Sequence, residues 1–112
     1  MNPVYARIWQ TTLQIPAGSV ASYGQIADLS GLPGRARLVG KAMGLAPKTM
    51  QVPWFRVLRA DGKIAFPAGS ELAEKQKGQL QEEGVVVLNN RVKLREFQWQ
   101  PDLSELLFKL SY

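Results

Sequence analysis

The sequence of 112 residues contains neither cysteine nor histidine. Without them the chain cannot form a disulfide, a Cys/His zinc site, or a Ser-His or Cys-His catalytic pair. It also lacks an apolar run near the ~18 residues that a membrane span needs, and it lacks the basic and apolar regions of a signal peptide at its start. The acidic residues are scattered, which argues against paired catalytic carboxylates. These absences predict a cytoplasmic protein with no metal and no cofactor.

Positive charge is concentrated in one stretch of the chain, from Arg35 to Lys63. The net charge of the whole sequence is +5, but this stretch alone carries +6, because its only acid is Asp61. A basic patch on a near-neutral body is typical of a phosphate-binding surface, and a solvated face without a partner is the alternative. The basic residues of the stretch are Arg35, Arg37, Lys41, Lys48, Arg56, Arg59 and Lys63.

The first half of the chain has the pattern of a helix-turn-helix. Apolar residues at helical spacing predict a helix over residues 4–14. Ser22 followed by Gln25 is a capping-box signature and predicts the start of a second helix. Pro33-Gly34 predicts the start of a third, which runs to about Met43. Two short helices joined by a Gly/Pro turn form a helix-turn-helix candidate, and its overlap with the basic stretch favours nucleic acid as the partner.

The second half predicts two small hairpins between helices. Each hairpin has apolar segments around a turn-forming dipeptide: 57–58 and 64–66 flank Asp61-Gly62, and 85–88 and 91–95 flank Asn89-Asn90. Ser70 predicts the cap of a helix that extends through Glu83, and Asp102 predicts another helix start. The length suits one domain, residues 1–112, with 102–112 as an extra C-terminal helix that either packs on the domain or offers a docking face. That helix would carry Leu103, Leu106, Leu107 and Leu110 on one face.

The third predicted helix is rich in small residues. A glycine inside a helix costs up to about 1 kcal/mol relative to alanine, so Gly40 needs a compensating reason. Close packing within the protein is one such reason, and close approach to DNA is the other. The long side chains on this helix are mainly Arg35, Arg37 and Lys41. A slim helix with few long polar side chains suits the minor groove better than base reading in the major groove.

Three motifs carry a family resemblance: residues 22–27 (SYGQIA), 36–40 (ARLVG) and 53–57 (PWFRV). Together they resemble the O6-alkylguanine-DNA alkyltransferase family over about residues 3 to 101. In that family the second residue of the last motif is the cysteine that accepts the alkyl group. Here it is Trp54, whose indole cannot replace a thiolate nucleophile. The pattern resembles the alkyltransferase-like proteins, which bind the lesion without repairing it.

The resemblance implies a fold and a set of site residues. The fold is mostly α with small β-hairpins, a winged-helix-like helix-turn-helix domain of the alkyltransferase type. Arg37 would fill the gap left by an extruded nucleotide, and Tyr23 would assist rotation of the phosphate and line the base pocket. The expected DNA-binding residues are Tyr23, Arg35, Ala36, Arg37, Gly40 and Lys41. The expected lesion pocket consists of Tyr23, Trp54, Phe55, Arg56, Val57, Phe66, Pro67 and Ala68.

The chain departs from the alkyltransferase pattern at further positions. Phe55 replaces the histidine that activates the cysteine, whereas Glu83 occupies the place of the glutamate behind it. Residues 45–47 (LAP) replace a hinge asparagine, and Pro67 stands near where some alkyltransferase-like proteins have a basic residue. A purely structural role for Trp54 and Phe55, as core residues, is the alternative to a pocket role.

These observations favour a non-enzymatic sensor of O6-alkylguanine in duplex DNA that flips the base and flags the lesion for nucleotide-excision repair. Its expected partners are damaged double-stranded DNA and the damage-recognition proteins of that pathway. We expect a monomer, associated with the bacterial nucleoid and not with a membrane. A small helix-turn-helix transcription regulator is the alternative function. A transferase that uses Lys41 or Tyr23 as its nucleophile is a third, and neither side chain is expected to attack an alkyl carbon at neutral pH.

Overall fold

The structure, a computed structural model, describes residues 3–110. Within that range the chain is mostly helical, as predicted, with two strands of two residues each. The helices are α1 (Pro3–Leu13), α2 (Tyr23–Leu29), α3 (Ala36–Gly44), α4 (Glu71–Glu82), α5 (Leu94–Phe97) and α6 (Leu103–Lys109), and the strands are β1 (Ala21–Ser22) and β2 (Val57–Leu58). Single 3-10 turns cover Lys48–Met50 and Trp54–Arg56. None of the helices within residues 3–110 has the length and apolar character needed to cross a membrane.

The first hydrophobic core lies between α1, α2 and α3. Ile8 and Trp9 of α1 are buried there, and the Trp9 Nε1 donates to the Ala42 carbonyl of α3 at 2.7 Å. Two buried hydroxyls of α1 are satisfied within the helix, because Thr11 and Thr12 each donate to the carbonyl four residues earlier, at 2.9 and 2.8 Å. Burying a hydroxyl without such a partner would cost free energy. The contacts of Ile8 and Trp9 hold the helix-turn-helix, formed by α2 and α3, against α1.

The two strands lie at the boundary between the first core and a second one. β1 and β2 pair in parallel, with Ala21 opposite Val57 and Ser22 opposite Leu58. Successive side chains of a strand point to opposite faces. Val57 accordingly belongs to the first core, whereas Leu58 belongs to the second, which also holds Ala73 and Leu80 of α4. The sheet therefore joins the helix-turn-helix to the remainder of the chain.

The first predicted hairpin is wrong in its pairing. The turn at Asp61-Gly62 does form, since Arg59 N donates to the Lys63 carbonyl at 2.9 Å. Residues 57–58, however, pair with β1, and Ile64 N donates to the Asn90 carbonyl instead. Both side chains of β2 are fully buried. A strand covered on both faces is typical of parallel pairing inside a domain and not of an exposed hairpin.

The second predicted hairpin is confirmed at its turn only. Asn89 and Asn90 both have positive φ, at 52° and 61°, as a two-residue I′ turn requires. Leu88 and Arg91 exchange backbone hydrogen bonds of 2.9 and 3.0 Å across it. The predicted second strand, residues 91–95, is replaced in part by α5, because Leu94 and Phe97, one helical turn apart, pack against the second core.

The predicted helix boundaries hold with small shifts. α1 corresponds to 4–14, although Leu13 is 39% exposed and does not face the core. α3 begins at Ala36 and not at Pro33-Gly34, because Gly34 has a φ of +79° that no helix accommodates. The Ser70 Oγ accepts from Ala73 N at 3.3 Å, as a cap of α4.

The C-terminal helix packs with one edge only. Asp102 caps α6 as predicted, accepting from Glu105 N at 3.1 Å. Leu106 and Leu110 are buried in the first core, but Leu103 and Leu107 are 61% and 72% exposed. Of the two alternatives considered for this helix, packing on the domain therefore holds for Leu106 and Leu110 only, because a seven-residue helix at the surface meets the core along a single i, i+4 edge. Residues 111–112, part of the predicted segment 102–112, lie outside the described residues.

Candidate nucleic-acid interface

The helix-turn-helix consists of α2, the turn over residues 30–35, and α3. Ser22 caps α2, its Oγ accepting from Gln25 N at 3.0 Å, which confirms the predicted cap. Gly31 ends the helix with a φ of +74°, and Leu32 N donates back to the Ala27 carbonyl at 2.8 Å, an arrangement common at helix C-termini. Arg7 of α1 donates to the Ser30 carbonyl at 2.7 Å. The turn is thus held to α1, a contact that the sequence pattern did not predict.

The outer face of α3 is basic and narrow. Val39 and Ala42 are buried, whereas Arg37, Gly40, Lys41 and Gly44 are exposed, at i, i+3, i+4 and i+7 spacing. Two of these four residues are glycines, so the exposed strip consists of two cationic side chains separated by bare backbone. Arg35 is also exposed, and Ala36 is half-buried.

Packing within the protein does not explain the glycines of this face. A Cβ placed on Gly40 would lie 3.9 Å from Cε1 of Tyr23, an ordinary contact, and one placed on Gly44 would have no atom within 4 Å. Neither residue has a positive φ. Alanine would therefore fit at both positions and would favour the helix. The intramolecular reason considered for Gly40 is thereby removed, and close approach by an external partner is the reason that remains.

A shallow groove of about 470 Å³ lies at the N-terminal end of α3 and is lined by residues 34–38 and Lys41. Its charged residues are Arg35, Arg37 and Lys41, with no acid among the lining residues. Within residues 3–110 none of these three cations takes part in an ion pair. Such a groove attracts anions, and phosphates of a nucleic acid backbone fit its charge.

Tyr23 lies at the start of α2, next to this face. Its ring is half-buried, and burial raises the pKa of Tyr23 above its usual 10.0. The phenol is therefore protonated at neutral pH and can donate a hydrogen bond. A phenolate nucleophile is not available there, which removes Tyr23 as the acceptor of an alkyl group.

Trp54 follows a tight turn at Pro53. Pro53 has φ −77° and ψ 67°, and Trp54 N donates to the Val52 carbonyl at 2.8 Å, which together define an inverse γ-turn. The indole is half-buried and stands edge-on to two rings, at centroid distances of 6.1 Å to Phe55 and 6.4 Å to Phe66. We call these three residues the aromatic cluster. Phe55 and Phe66 pack on the second core, whereas Trp54 is absent from both cores, so its ring has a free surface.

The other predicted pocket residues are placed differently. The Val57 side chain is fully buried, so only its backbone can face a ligand. The Arg56 guanidinium donates to Glu83 through Nε at 2.9 Å and through a terminal nitrogen, and to the Ile15 carbonyl at 2.8 Å. Its charge is used inside the protein and not in a pocket. Pro67 and Ala68 are exposed in the segment that follows Phe66.

Glu83, the last member of the expected activation relay, is a structural residue in this chain. Its Oε1 also accepts from Gly18 N at 3.2 Å, and the hydrogen bonds from Arg56 hold the pKa of the Glu83 carboxyl below its usual value. The ion pair joins α4, the Trp54 turn and the loop after α1. Phe55 occupies the position at which such a relay would need an imidazole. The centroid of its ring lies 5.2 Å from the guanidinium carbon of Arg56.

A second groove lies elsewhere. It has a volume of about 630 Å³ and lies between residues 60–61 and 86–97, with Val86, Leu88 and Phe97 among its apolar walls. It contains none of the predicted DNA-binding or pocket residues. Within residues 3–110 no three His, Cys, Asp or Glu side chains come together as a metal site requires.

Comparison with known proteins identifies the family. Residues 3–85 match the protein family described as the DNA-binding domain of 6-O-methylguanine DNA methyltransferase. The chain belongs to this family. A relative called DNA base-flipping protein, from Vibrio parahaemolyticus, is 42% identical over 102 residues, which cover 90% of this chain and 100% of the relative.

A solved structure of the same family shows the same fold. Schizosaccharomyces pombe Atl1, in complex with damaged DNA containing O6-carboxymethylguanine, matches with a TM-score of 0.81 and 35% sequence identity, over 90% of this chain and 98% of that one. The methylated-DNA–protein-cysteine methyltransferase of Mycobacterium tuberculosis is 50% identical over 63 residues, 56% of this chain and 38% of the relative. This chain has no cysteine, and its residue at the alkyl-acceptor position of the family motif is Trp54.

Proposed function

We propose that this protein is a sensor of O6-alkylguanine that binds the lesion in duplex DNA and leaves it chemically unchanged. The observation that carries the proposal is the half-exposed Trp54 at the alkyl-acceptor position of the family motif, in a chain without cysteine. An indole offers a flat apolar wall on which a base or an alkyl substituent can stack, an interaction of roughly 1–3 kcal/mol per base. The pocket thus retains a surface for binding and lacks the group that would react.

The contact with DNA is made by the exposed strip of α3, in the minor groove. Bare backbone at Gly40 and Gly44 lets the helix axis approach the floor of a narrow groove, and Lys41 supplies charge toward the phosphates. Base extrusion costs a few kcal/mol, and less for a weakened pair. Arg37 in the vacated space and the protonated Tyr23 hydroxyl beside a phosphate would offset that cost.

Removal of the lesion is left to other proteins. Because this chain cannot accept the alkyl group, we infer that the bound complex marks the site for nucleotide-excision repair and its damage-recognition proteins. The protein would act as a monomer on DNA, in the nucleoid. The transcription-regulator alternative would require selectivity for a sequence and not for damage.

Two duplexes that differ only by one O6-methylguanine test the proposal. We expect tighter binding to the modified duplex at fixed salt, with the intact mass of the protein unchanged afterwards. Equal binding to both would favour the regulator, and a mass gain of one methyl group would refute the argument from the missing cysteine. Salt must be held constant, because affinity falls with a log-log slope of about −0.9 per phosphate contact.

Arg37→Ala should weaken binding to the modified duplex about tenfold more than binding to the unmodified one. The reason is that Arg37, in the vacated space, stabilises only the extruded state. Arg35→Ala is the matched control, because Arg35 is an exposed arginine in the same groove and should affect both duplexes equally. Titrations of both variants by fluorescence anisotropy provide the comparison. Equal losses for Arg37→Ala on the two duplexes would show a phosphate contact only.

A further inference from the structure

Gln76 is a polar residue in the apolar stripe of α4. The residues of this helix that face the second core are Ala73, Gln76 and Leu80, and Gln76 is 1% exposed. A buried carboxamide costs free energy unless its polar atoms are hydrogen-bonded. The contacts of this side chain therefore indicate why a polar group stands where an apolar one would be expected.

The amide group of Gln76 donates two hydrogen bonds to the backbone of the motif that contains Trp54. Nε2 donates to the Phe55 carbonyl at 3.0 Å and to the Val57 carbonyl at 3.1 Å. These carbonyls belong to the 3-10 turn that starts at Trp54 and to the first residue of β2. One side chain thus fixes the backbone direction on both sides of Arg56 and, with it, the placement of the indole.

Stability alone does not account for this residue. Among the described residues, Oε1 of Gln76 has no hydrogen-bond partner, and a buried acceptor without one costs about 1–3 kcal/mol. A half-satisfied carboxamide is a poor way to stabilise a core, because an apolar side chain of similar volume would avoid that cost. What the carboxamide provides is a fixed geometry for the turn.

We propose that Gln76 is a positioning residue that holds the Trp54 turn in the shape that accepts an extruded base, and so sets lesion selectivity without contacting DNA. This inference rests on the proposed function. It assigns recognition of a modified base to two parts of the fold: Arg37 of α3 stabilises the extruded state, and α4, through Gln76, supplies the geometry of the turn that receives the base.

Gln76→Met tests the inference, because it removes both donors and keeps the volume approximately. The matched control is Gln81→Met, the same change at an exposed position of α4. Dissociation constants are measured for duplexes with and without O6-methylguanine, together with thermal unfolding. We expect the lesion preference to fall about fivefold in Gln76→Met, the equivalent of one or two net hydrogen bonds, while binding to the unmodified duplex stays unchanged.

Gln76→Lys separates selectivity from stability. An ammonium group can donate to both carbonyls, so the lesion preference should be kept although the buried charge lowers the midpoint of unfolding. Loss of the preference in folded Gln76→Lys would overturn the inference, as would an unchanged preference, or equal losses on both duplexes, in Gln76→Met. A wild-type protein without any lesion preference would overturn the proposed function and this inference together, whereas a preference that Gln76→Met retains overturns the inference alone.

Discussion

Gly62→Ala is expected to lower the free energy of unfolding by about 2–5 kcal/mol, the sum of backbone strain and overpacking. Gly62 has a φ of +86°, which side chains rarely adopt, and a Cβ there would lie 2.3 Å from the Val92 carbonyl oxygen. That oxygen cannot move away cheaply, because the neighbouring Val92 N donates to the Gly62 carbonyl at 2.9 Å. Relief of the clash would therefore break the contact between the two turns.

Gly69→Ala is the control that separates strain from clash. Gly69 has a φ of +84°, nearly the same as Gly62, but a Cβ there would meet no atom within 4 Å. It should cost only the backbone strain, about 1–2 kcal/mol. Urea unfolding of both variants at the same pH measures the difference. If the two substitutions cost the same, the close approach of Val92 has no energetic consequence.

Glu83→Gln is expected to lower the free energy of unfolding by about 2–3 kcal/mol. Removal of one partner from a buried ion pair costs about 3–5 kcal/mol, and this pair is somewhat more exposed, with side chains 16% and 15% accessible. The neutral amide would leave the Arg56 guanidinium poorly compensated and weaken the contact with Gly18 N. Glu82→Gln, one residue earlier and exposed, should change the stability by less than about 0.5 kcal/mol.

The cost of Glu83→Gln should depend on pH. Since Arg56 lowers the pKa of Glu83 below 4.5 in the folded state, the carboxylate stabilises the fold fully above that value. As the pH falls through the lowered folded pKa, Glu83 takes up a proton in the folded state as well and the stabilisation is lost. Unfolding curves at neutral pH and in acid should therefore show the wild type and Glu83→Gln converging in acid. A constant difference would mean that the ion pair is not its source.

Local signals in the sequence were sufficient for α1, α2, α3, α4 and α6, whereas α5 lies where a strand was predicted. Apolar spacing predicted α1, side-chain caps predicted the starts of α2, α4 and α6, and the order of small and basic residues marked α3. These features depend on contacts within about one helical turn, which a sequence displays directly. The absence of cysteine, on which the proposed function rests, needed no structure.

Pairings between distant segments were predicted poorly. The register of β2 with β1, the ion pair between Arg56 and Glu83 and the bonds from Gln76 join positions 19 to 36 residues apart. Gln76 did carry a signal, as a polar residue at i, i+3 and i+7 spacing with Ala73 and Leu80, but nothing local indicated its partners.

The sequence by itself determined that this protein is a basic, mostly helical DNA-binding domain without cysteine, because the presence and spacing of residue types decide such properties. Only the tertiary structure decided which side chains are buried or paired inside the protein and which remain accessible to a partner. It takes Arg56 and the Val57 side chain away from the expected pocket, leaves Trp54 partly open, and shows that Gly40 has room for a Cβ atom. The physical reason is that burial and pairing depend on which segments meet in space, and that depends on the packing of the whole chain.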